Sequence, residues 1–154
     1  MWLMCGIIGI SGVNIDSKKR GVIEAGLATL ARRGPDDSSI VQFPDSILGH
    51  RRLSIIDLES GAQPMQDSAG TIAITFNGEI YNYRELRTEL KRAGHVFRTQ
   101  SDTEVILESY RAYGRDCVNR LDGMFAFAIW DKARQELFLA RDRFGEKPLY
   151  YALF

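Results

Sequence analysis

Met4-Cys5-Gly6-Ile7-Ile8-Gly9 lies almost at the start of the 154-residue chain. The apolar, glycine-containing run from Cys5 to Val13 favours a buried strand with the cysteine at its open end. As the first residue of a mature chain, Cys5 would carry a thiol nucleophile and a free α-amine together. Such an amine has a pKa of roughly 8, so it can accept the thiol proton near neutral pH. We therefore expect Cys5 to attack an amide; the alternative is a small core cysteine.

The composition excludes several classes of protein. Hydrophobic residues make up 45% and charged residues 26% of the chain, as in an ordinary globular domain. Lys+Arg and Asp+Glu are both 20, which argues against a partner made of nucleic acid or anionic membrane. The longest uncharged stretch, Met1–Ile15, is too short to span a bilayer and lacks the positive segment of a signal peptide. Two cysteines make no disulfide framework, so we expect a cytoplasmic protein.

Hydrophobic patterning predicts the element order β-α-ββ-β-α-β-α-βββ in a single domain. Helices are expected from Asp16 or Ser17 to about Arg32, and after capping boxes that begin at Asn82 and Ser101. A turn at Asn77-Gly78 and a long loop from Asp57 to Gly70 are also expected. The predicted strands are Cys5–Val13, Ser39–Phe43, Ser46–Leu53, Thr71–Phe76, Val96–Thr99, Met124–Trp130, Glu136–Ala140 and Leu149–Leu153. Hairpins and strands that are apolar on both faces indicate an α+β fold with stacked sheets and outer helices.

Three groups of polar residues are candidates for a site with Cys5. The side-chain amide of Asn77 and the backbone N–H of Gly78 could hold an oxyanion, although a simple turn explains them equally well. An arginine, Arg51 or Arg52, suits a free α-carboxylate, and Asp102 suits a free α-ammonium. Together these charges would recognise an amino acid. Taken singly, the arginines read as surface charge and Asp102 as a helix cap.

The remaining reactive side chains favour structural roles. A papain-type dyad needs a histidine beside Cys5, but we expect His50 to be packed on a strand and His95 to be exposed in a turn. Cys117 reads as a core residue in a short helix. The spacing of these residues predicts no metal site, and no glycine-rich phosphate loop is present.

Taken together, the motifs of this chain resemble the glutaminase domain of class II glutamine amidotransferases, of the glutamine-hydrolysing asparagine synthetase type. The resemblance spans nearly the whole chain from Cys5. Its motifs are Met4–Gly9, Arg33–Asp36, His50–Asp57, Asn77–Asn82, Ser101–Glu104, Gly123–Phe127 and Arg141–Tyr151.

The resemblance implies an N-terminal nucleophile hydrolase fold, an αββα sandwich of two antiparallel sheets between helix layers. It also implies a role for each motif residue. Cys5 would be the nucleophile and, through its α-amine, the base; Asn77 and Gly78 would form the oxyanion hole. Glutamine would be bound by Arg52, Asn77, Gly78, Glu79 and Asp102, with Arg52 on its carboxylate and Asp102 near its amino group. The implied reaction converts the glutamine side-chain amide to glutamate and ammonia.

Two departures from the family pattern bear on activity. The family's cysteine directly follows the initiator methionine, whereas residues 1–4 precede Cys5 here. Trp2 is too bulky for ordinary methionine removal, so we expect translation from Met4 or removal of a leader, with residues 5–154 as the glutaminase domain. The family's synthetase domain, which binds ATP and magnesium, is not in this sequence. We therefore expect no cofactor for this domain, a synthetase partner in cis or in trans, and a fold that lacks its last elements if the chain is a fragment.

Alternatives remain open at this stage. The same fold could serve as a non-catalytic docking or regulatory domain, as an amidase for another amide, or as an amidotransferase for a different ammonia acceptor. A homodimer is also open.

Overall fold

Two antiparallel sheets form the centre of the structure, a computed structural model that describes residues 4–13, 15–53 and 61–154. The first sheet has the order β1-β3-β2 and the second the order β4-β5-β6-β7. The strands of the first sheet are β1 (Gly6–Ser11), β2 (Asp37–Phe43) and β3 (Ser46–Arg52). Those of the second are β4 (Met65–Gln66), β5 (Ile72–Ile80), β6 (Gly123–Asp131) and β7 (Glu136–Arg141).

Helices cover the outer faces of both sheets. They are α1 (Ser17–Thr29), α2 (Tyr83–Arg92), α3 (Asp102–Tyr113) and a 3-10 helix at Gly114–Arg120. Helix α1 packs on β1 and β3, α3 packs on β5, and β3 faces β5 and β6 across the centre. The predicted αββα layering is therefore confirmed. Helix α1 begins after Asp16, whose side chain accepts the Lys19 N–H at 2.9 Å, and ends at Thr29 rather than at Arg32.

Successive side chains of each strand point to opposite faces of its sheet, and the core is therefore divided into layers. On β6, Phe127 and Ile129 pack toward α2 and α3, whereas Ala128 and Trp130 pack toward the first sheet. This strand is apolar on both faces because it separates two cores, as the sequence predicted. A third cluster joins α1 to the outer face of the first sheet. Cys117 lies in the core beneath α2 and α3, where burial raises the pKa of its thiol to about 12.

The predicted turn at Asn77-Gly78 is wrong, because β5 continues through it to Ile80. A Cβ at residue 78 would overlap the Met124 carbonyl oxygen of β6 and lie 2.7 Å from Phe125 Cα. Glycine is required here for close strand approach at a φ of +154°. The glycine therefore allows the backbones of β5 and β6 to approach closely, and the Asn-Gly pair forms part of a strand and not a turn.

The predicted strand at Val96–Thr99 is also wrong. The Glu104 carboxylate accepts the backbone N–H groups of Arg98 and Thr99 at 2.9 and 2.7 Å. A buried side chain thus satisfies donors that a partner strand would otherwise take. The second predicted cap is present in part: the Ser101 hydroxyl accepts the Thr103 N–H at 3.1 Å, while Glu104 binds the preceding loop instead.

The predicted last strand and the predicted cap at Asn82 are both wrong. The predicted strand Leu149–Leu153 is not formed; this segment is largely exposed and pairs with none of the described strands. Asn82 precedes α2 but makes no side-chain cap, because its amide binds the Arg120 carbonyl and the Asp122 N–H across the loop.

Part of the expected loop from Asp57 to Gly70 lies outside the described residues. Residues 61–70 contain β4, which pairs with β5. Within the described ranges, none of the helices is long and apolar enough to cross a bilayer.

Candidate functional site

A cavity of about 620 Å³ lies where the two sheets meet the start of α3. Its size is within the range of small-molecule sites. It is lined by all the residues that the resemblance assigned to a site: Cys5, Arg52, Asn77, Gly78, Glu79 and Asp102. These residues span nearly a hundred positions, and the sheet stacking brings them together.

Cys5 reaches the cavity from the start of β1. The antiparallel register of β1 and β3 opposes Gly6 to Arg51, which sets the cysteine beside the end of β3. The backbone N–H of Leu53 donates to the Cys5 Sγ at 3.3 Å, and the Sγ lies 3.7 Å from the Leu53 carbonyl oxygen.

Burial raises the pKa of the Cys5 thiol above its ordinary value of 9.0. The Leu53 N–H and the Arg52 guanidinium oppose this by stabilising the thiolate, while Asp102 and Asp36 add to the rise. The thiol is therefore protonated at neutral pH, and it needs a base before it can act as a nucleophile.

The strand β5 delivers two potential hydrogen-bond donors to the cavity. Asn77 is only 5% exposed. Gly78 follows it, at the point where the backbones of the paired strands β5 and β6 approach each other closely. The side-chain amide and the backbone N–H thus belong to a rigid, paired strand rather than to a mobile turn. Preorganised donors of this kind stabilise a developing oxyanion without reorganising.

Asp102 is the first residue of α3 and faces the end of β5. Its Oδ2 accepts the Ile80 N–H at 3.1 Å, and the residue is 6% exposed. Burial raises the pKa of this carboxyl, backbone N–H groups oppose the rise, and the charge of Glu79 adds to it. A substrate ammonium would supply the missing positive charge, so the arrangement suits an amino group.

The two candidate arginines point to different places. Arg51 donates from Nε to the Leu27 carbonyl at 3.0 Å, which directs it to α1. Arg52 ends β3 and lines the cavity, since neighbouring residues of a strand alternate in direction. Of the two, Arg52 is the one that can meet a substrate carboxylate in this cavity.

The histidines bind elsewhere. His50 Nδ1 lies 3.1 Å from Thr75 Oγ1 between the sheets, and His95 Nδ1 lies 2.7 Å from Glu108 Oε2. The expectation that His95 is exposed is wrong, because its contact with Glu108 holds it half-buried. Among the described residues no hydrogen bond joins either histidine to Cys5, so a papain-type dyad has no support.

Acidification is expected to destabilise the protein through His50. Burial, with a contribution from Arg52, lowers the pKa of His50 from 6.5 to about 4. Its contribution to stability is therefore complete above pH 6.5 and is lost as the pH falls toward 4. Between pH 7 and 5 the free energy of unfolding should fall by about 2 kcal/mol because of this residue alone. Urea unfolding of the wild type and of His50→Gln at both pH values measures this change in the free energy of unfolding. Equal decreases in the two proteins would show that His50 is not its source.

Sequence reasoning missed several residues that line the cavity. Gln63 receives the Phe76 N–H on its side-chain oxygen at 2.7 Å, and the backbone of Leu53 holds the thiol. Gln63 lies in none of the family motifs, whereas Leu53 lies inside His50–Asp57, but that motif gave no reason to expect its backbone at the thiol. Glu146 and Lys147 also line the cavity, and both lie inside the last family motif. Within the described ranges no group of three or more metal-binding side chains could hold a metal ion.

Comparison with known proteins gives a consistent family. Residues 4–153 match a family model described as a glutamine amidotransferase domain. A glutamine-hydrolysing asparagine synthetase of Bacillus subtilis is 46% identical over 155 residues, covering 96% of this chain and 25% of its own length. One from Arabidopsis thaliana is 45% identical over 149 residues, with the same two coverages. The chain thus spans about a quarter of the length of these curated relatives.

A solved structure shows the same fold. The glutamine phosphoribosylpyrophosphate amidotransferase of B. subtilis superimposes with a TM-score of 0.70 at 21% identity. The superposition covers 88% of this chain and 37% of that one. The two stacked antiparallel sheets with outer helices are therefore an amidotransferase fold of the N-terminal nucleophile hydrolase type.

Proposed function

Because this chain belongs to the glutamine amidotransferase domain family, we propose that it hydrolyses the side-chain amide of glutamine with Cys5 as nucleophile. One observation carries the proposal: a thiol, an oxyanion-type donor pair, a cation and a buried carboxylate line one cavity. These groups match the three parts of the substrate, namely its amide, its α-carboxylate and its α-ammonium.

In the proposed reaction, the Cys5 α-amine removes the thiol proton and Sγ attacks the carbonyl carbon of the glutamine amide. The negative charge that develops on the oxygen is held by the Asn77 side-chain amide and the Gly78 N–H. The carbon–nitrogen bond then breaks, and the α-ammonium returns its proton to the leaving ammonia. Water hydrolyses the remaining thioester, which gives glutamate and frees the thiol.

Substrate orientation follows from the charges around the cavity. The Arg52 guanidinium binds the α-carboxylate, and Asp102, assisted by Glu79, binds the α-ammonium. The zwitterion is thereby fixed at both ends with its side chain directed to Cys5. A simple amide without these charges would lose both contacts, so we propose glutamine rather than a general amide as the substrate.

The proposal requires Cys5 to be the first residue. The raised pKa of the Cys5 thiol makes a nearby base necessary, and neither histidine supplies one. With a residue in front of it, the Cys5 nitrogen is an amide and cannot accept a proton. We propose that translation from Met4, or processing, exposes this amine.

Two matched proteins test this requirement, one translated from Met1 and one from Met4. We expect the second to lose its methionine and to release glutamate at least about 10²-fold faster, the usual gain from a positioned base. Intact mass identifies the first residue, and enzymatic glutamate determination gives the rate. Equal rates from proteins of confirmed mass would rule out the α-amine as the base.

We further propose that the ammonia serves a synthetase module, in cis or in trans, because the relatives that match this chain are named asparagine synthetases. ATP and magnesium would belong to that module, and the glutaminase site itself would need no cofactor. Glutamate and ammonia release by the isolated chain tests the first half-reaction without the acceptor.

A further inference from the structure

Lys147 places an ammonium group in the wall of the cavity. The residue is only 8% exposed, and its backbone N–H is fixed by Asp142 Oδ2 at 3.0 Å. Its Nζ lies 3.0 Å from the Met4 Sδ. A thioether is a weak acceptor, and within the described ranges no carboxylate lies within ion-pairing distance of this ammonium. Its Nζ therefore donates to a neutral sulfur and forms no ion pair within the described ranges.

The position of this charge relative to the nucleophile is the second observation. Met4 precedes Cys5 and also lines the cavity, so the Lys147 ammonium lies 3.0 Å from the side chain of the residue that is joined to the Cys5 nitrogen. When Met4 is absent, the thioether is lost and the new α-amine forms on a residue that lines the same cavity as Lys147. Two like charges in a partly buried site disfavour each other, so the Lys147 ammonium holds the amine in its neutral form.

We propose that Lys147 is a positioning residue that lowers the pKa of the Cys5 α-amine and so keeps it available as the base at neutral pH. This rests on the proposed function, since it requires Cys5 to be the first residue. The role differs from substrate binding, because Lys147 acts on the amine and touches none of the reacting atoms.

Other charges act on the same amine and must be considered with it. Those that face Cys5 from neighbouring elements or line the cavity are the cations Arg33 and Arg52 and the acids Asp36, Glu79, Asp102 and Glu146. The acids raise the pKa of the amine and the arginines lower it. All of them are unchanged by a substitution at Lys147, so a difference between matched proteins isolates its charge.

The test compares Lys147→Met, Lys147→Arg and the parent, each translated from Met4. Methionine keeps the length of the buried side chain, and the Asp142 contact uses the backbone, so the fold should survive. We expect Lys147→Met to raise the pKa of the acidic limb of kcat/KM by about one unit. The conservative Lys147→Arg should restore the parental profile. Lys132→Met, at an exposed position of the β6–β7 turn, is the matched control and should leave the limb unmoved.

A second readout does not depend on activity. The α-amine of protein labelled with ¹⁵N-cysteine can be titrated by NMR, and its pKa should rise by the same amount in Lys147→Met. An unshifted amine in the folded variant would overturn the role of Lys147. If the amine shifts but no protein releases glutamate, the proposed function fails and the electrostatic inference stands.

Discussion

Substituting Cys5 by alanine should reduce glutamate release by at least about 10⁴-fold, because the covalent intermediate can no longer form. The surrounding cavity should remain intact, since the hydrogen bonds of the thiol within the described part of the chain are to the Leu53 backbone. Glutamine should still bind to Cys5→Ala, because the proposed contacts to its carboxylate and ammonium come from other residues. Steady-state glutamate release and isothermal titration with glutamine measure these two effects separately.

The matched control is Cys117→Ala. This thiol is fully buried beneath α2 and α3, and burial raises its pKa to about 12, so it cannot act as a nucleophile. Its replacement should change turnover by no more than about twofold, with a stability cost of about 1 kcal/mol. Unchanged release by Cys5→Ala would remove Cys5 from the mechanism and leave the domain a binding module or an amidase of another kind.

The parts of the fold that could be predicted are those that depend on local pattern. Pro44-Asp45 between two apolar runs predicted the β2–β3 hairpin, which the register confirms. Apolar residues on both faces predicted that β6 lies between two layers. Glycine ended α3 at Gly114, where φ is +60°.

Two of the errors share a physical cause, which is that groups outside the local pattern satisfied the backbone or filled the space. Val96–Thr99 resembled a strand, but Glu104 takes its donors from the start of α3. Asn77-Gly78 resembled a turn, but β6 approaches so closely that the glycine is needed inside a strand. Met124 is far from Gly78 in sequence, so local reasoning could not detect that contact. Glu104 is only five residues beyond Thr99, but the capping-box pattern assigned its side chain to the start of α3 and not to the preceding loop.

The candidate site, like the fold, could be predicted only in part from the sequence. Cys5, Asn77 and Asp102 were each ambiguous alone, and only the ordered set of motifs combined them into one candidate site. The structure adds contacts that the motifs do not specify: the Leu53 backbone on the thiol, Gln63 against β5, and Lys147 against Met4. Leu53 and Lys147 lie inside family motifs, but a motif does not say which atoms meet, and Gln63 lies in none of the motifs.

Gly78→Ala is expected to damage both stability and turnover. The added Cβ would overlap the Met124 carbonyl oxygen, and both sides of this contact are paired strand backbone, so neither can move freely. The φ of +154° adds strain for any residue with a side chain. We expect the free energy of unfolding to fall by about 3 kcal/mol, and kcat to fall by about 10³-fold as the Gly78 N–H and Asn77 leave the oxyanion position. Urea unfolding and glutamine kinetics on the processed protein measure the two losses.

Gly21→Ala provides the control for this substitution. Gly21 lies inside α1, away from the cavity, and a Cβ there would meet no atom within 4 Å. Alanine at this position should stabilise the protein by about 0.5–1 kcal/mol and leave kcat unchanged. If Gly78→Ala kept parental turnover while Gly21→Ala behaved as expected, the oxyanion would have to be held by groups other than the β5 donors. If Gly78→Ala lost turnover but kept full stability, the effect would lie in the oxyanion hole alone. The strand would then have shifted to accommodate the Cβ, and the shift would have moved the donors out of position.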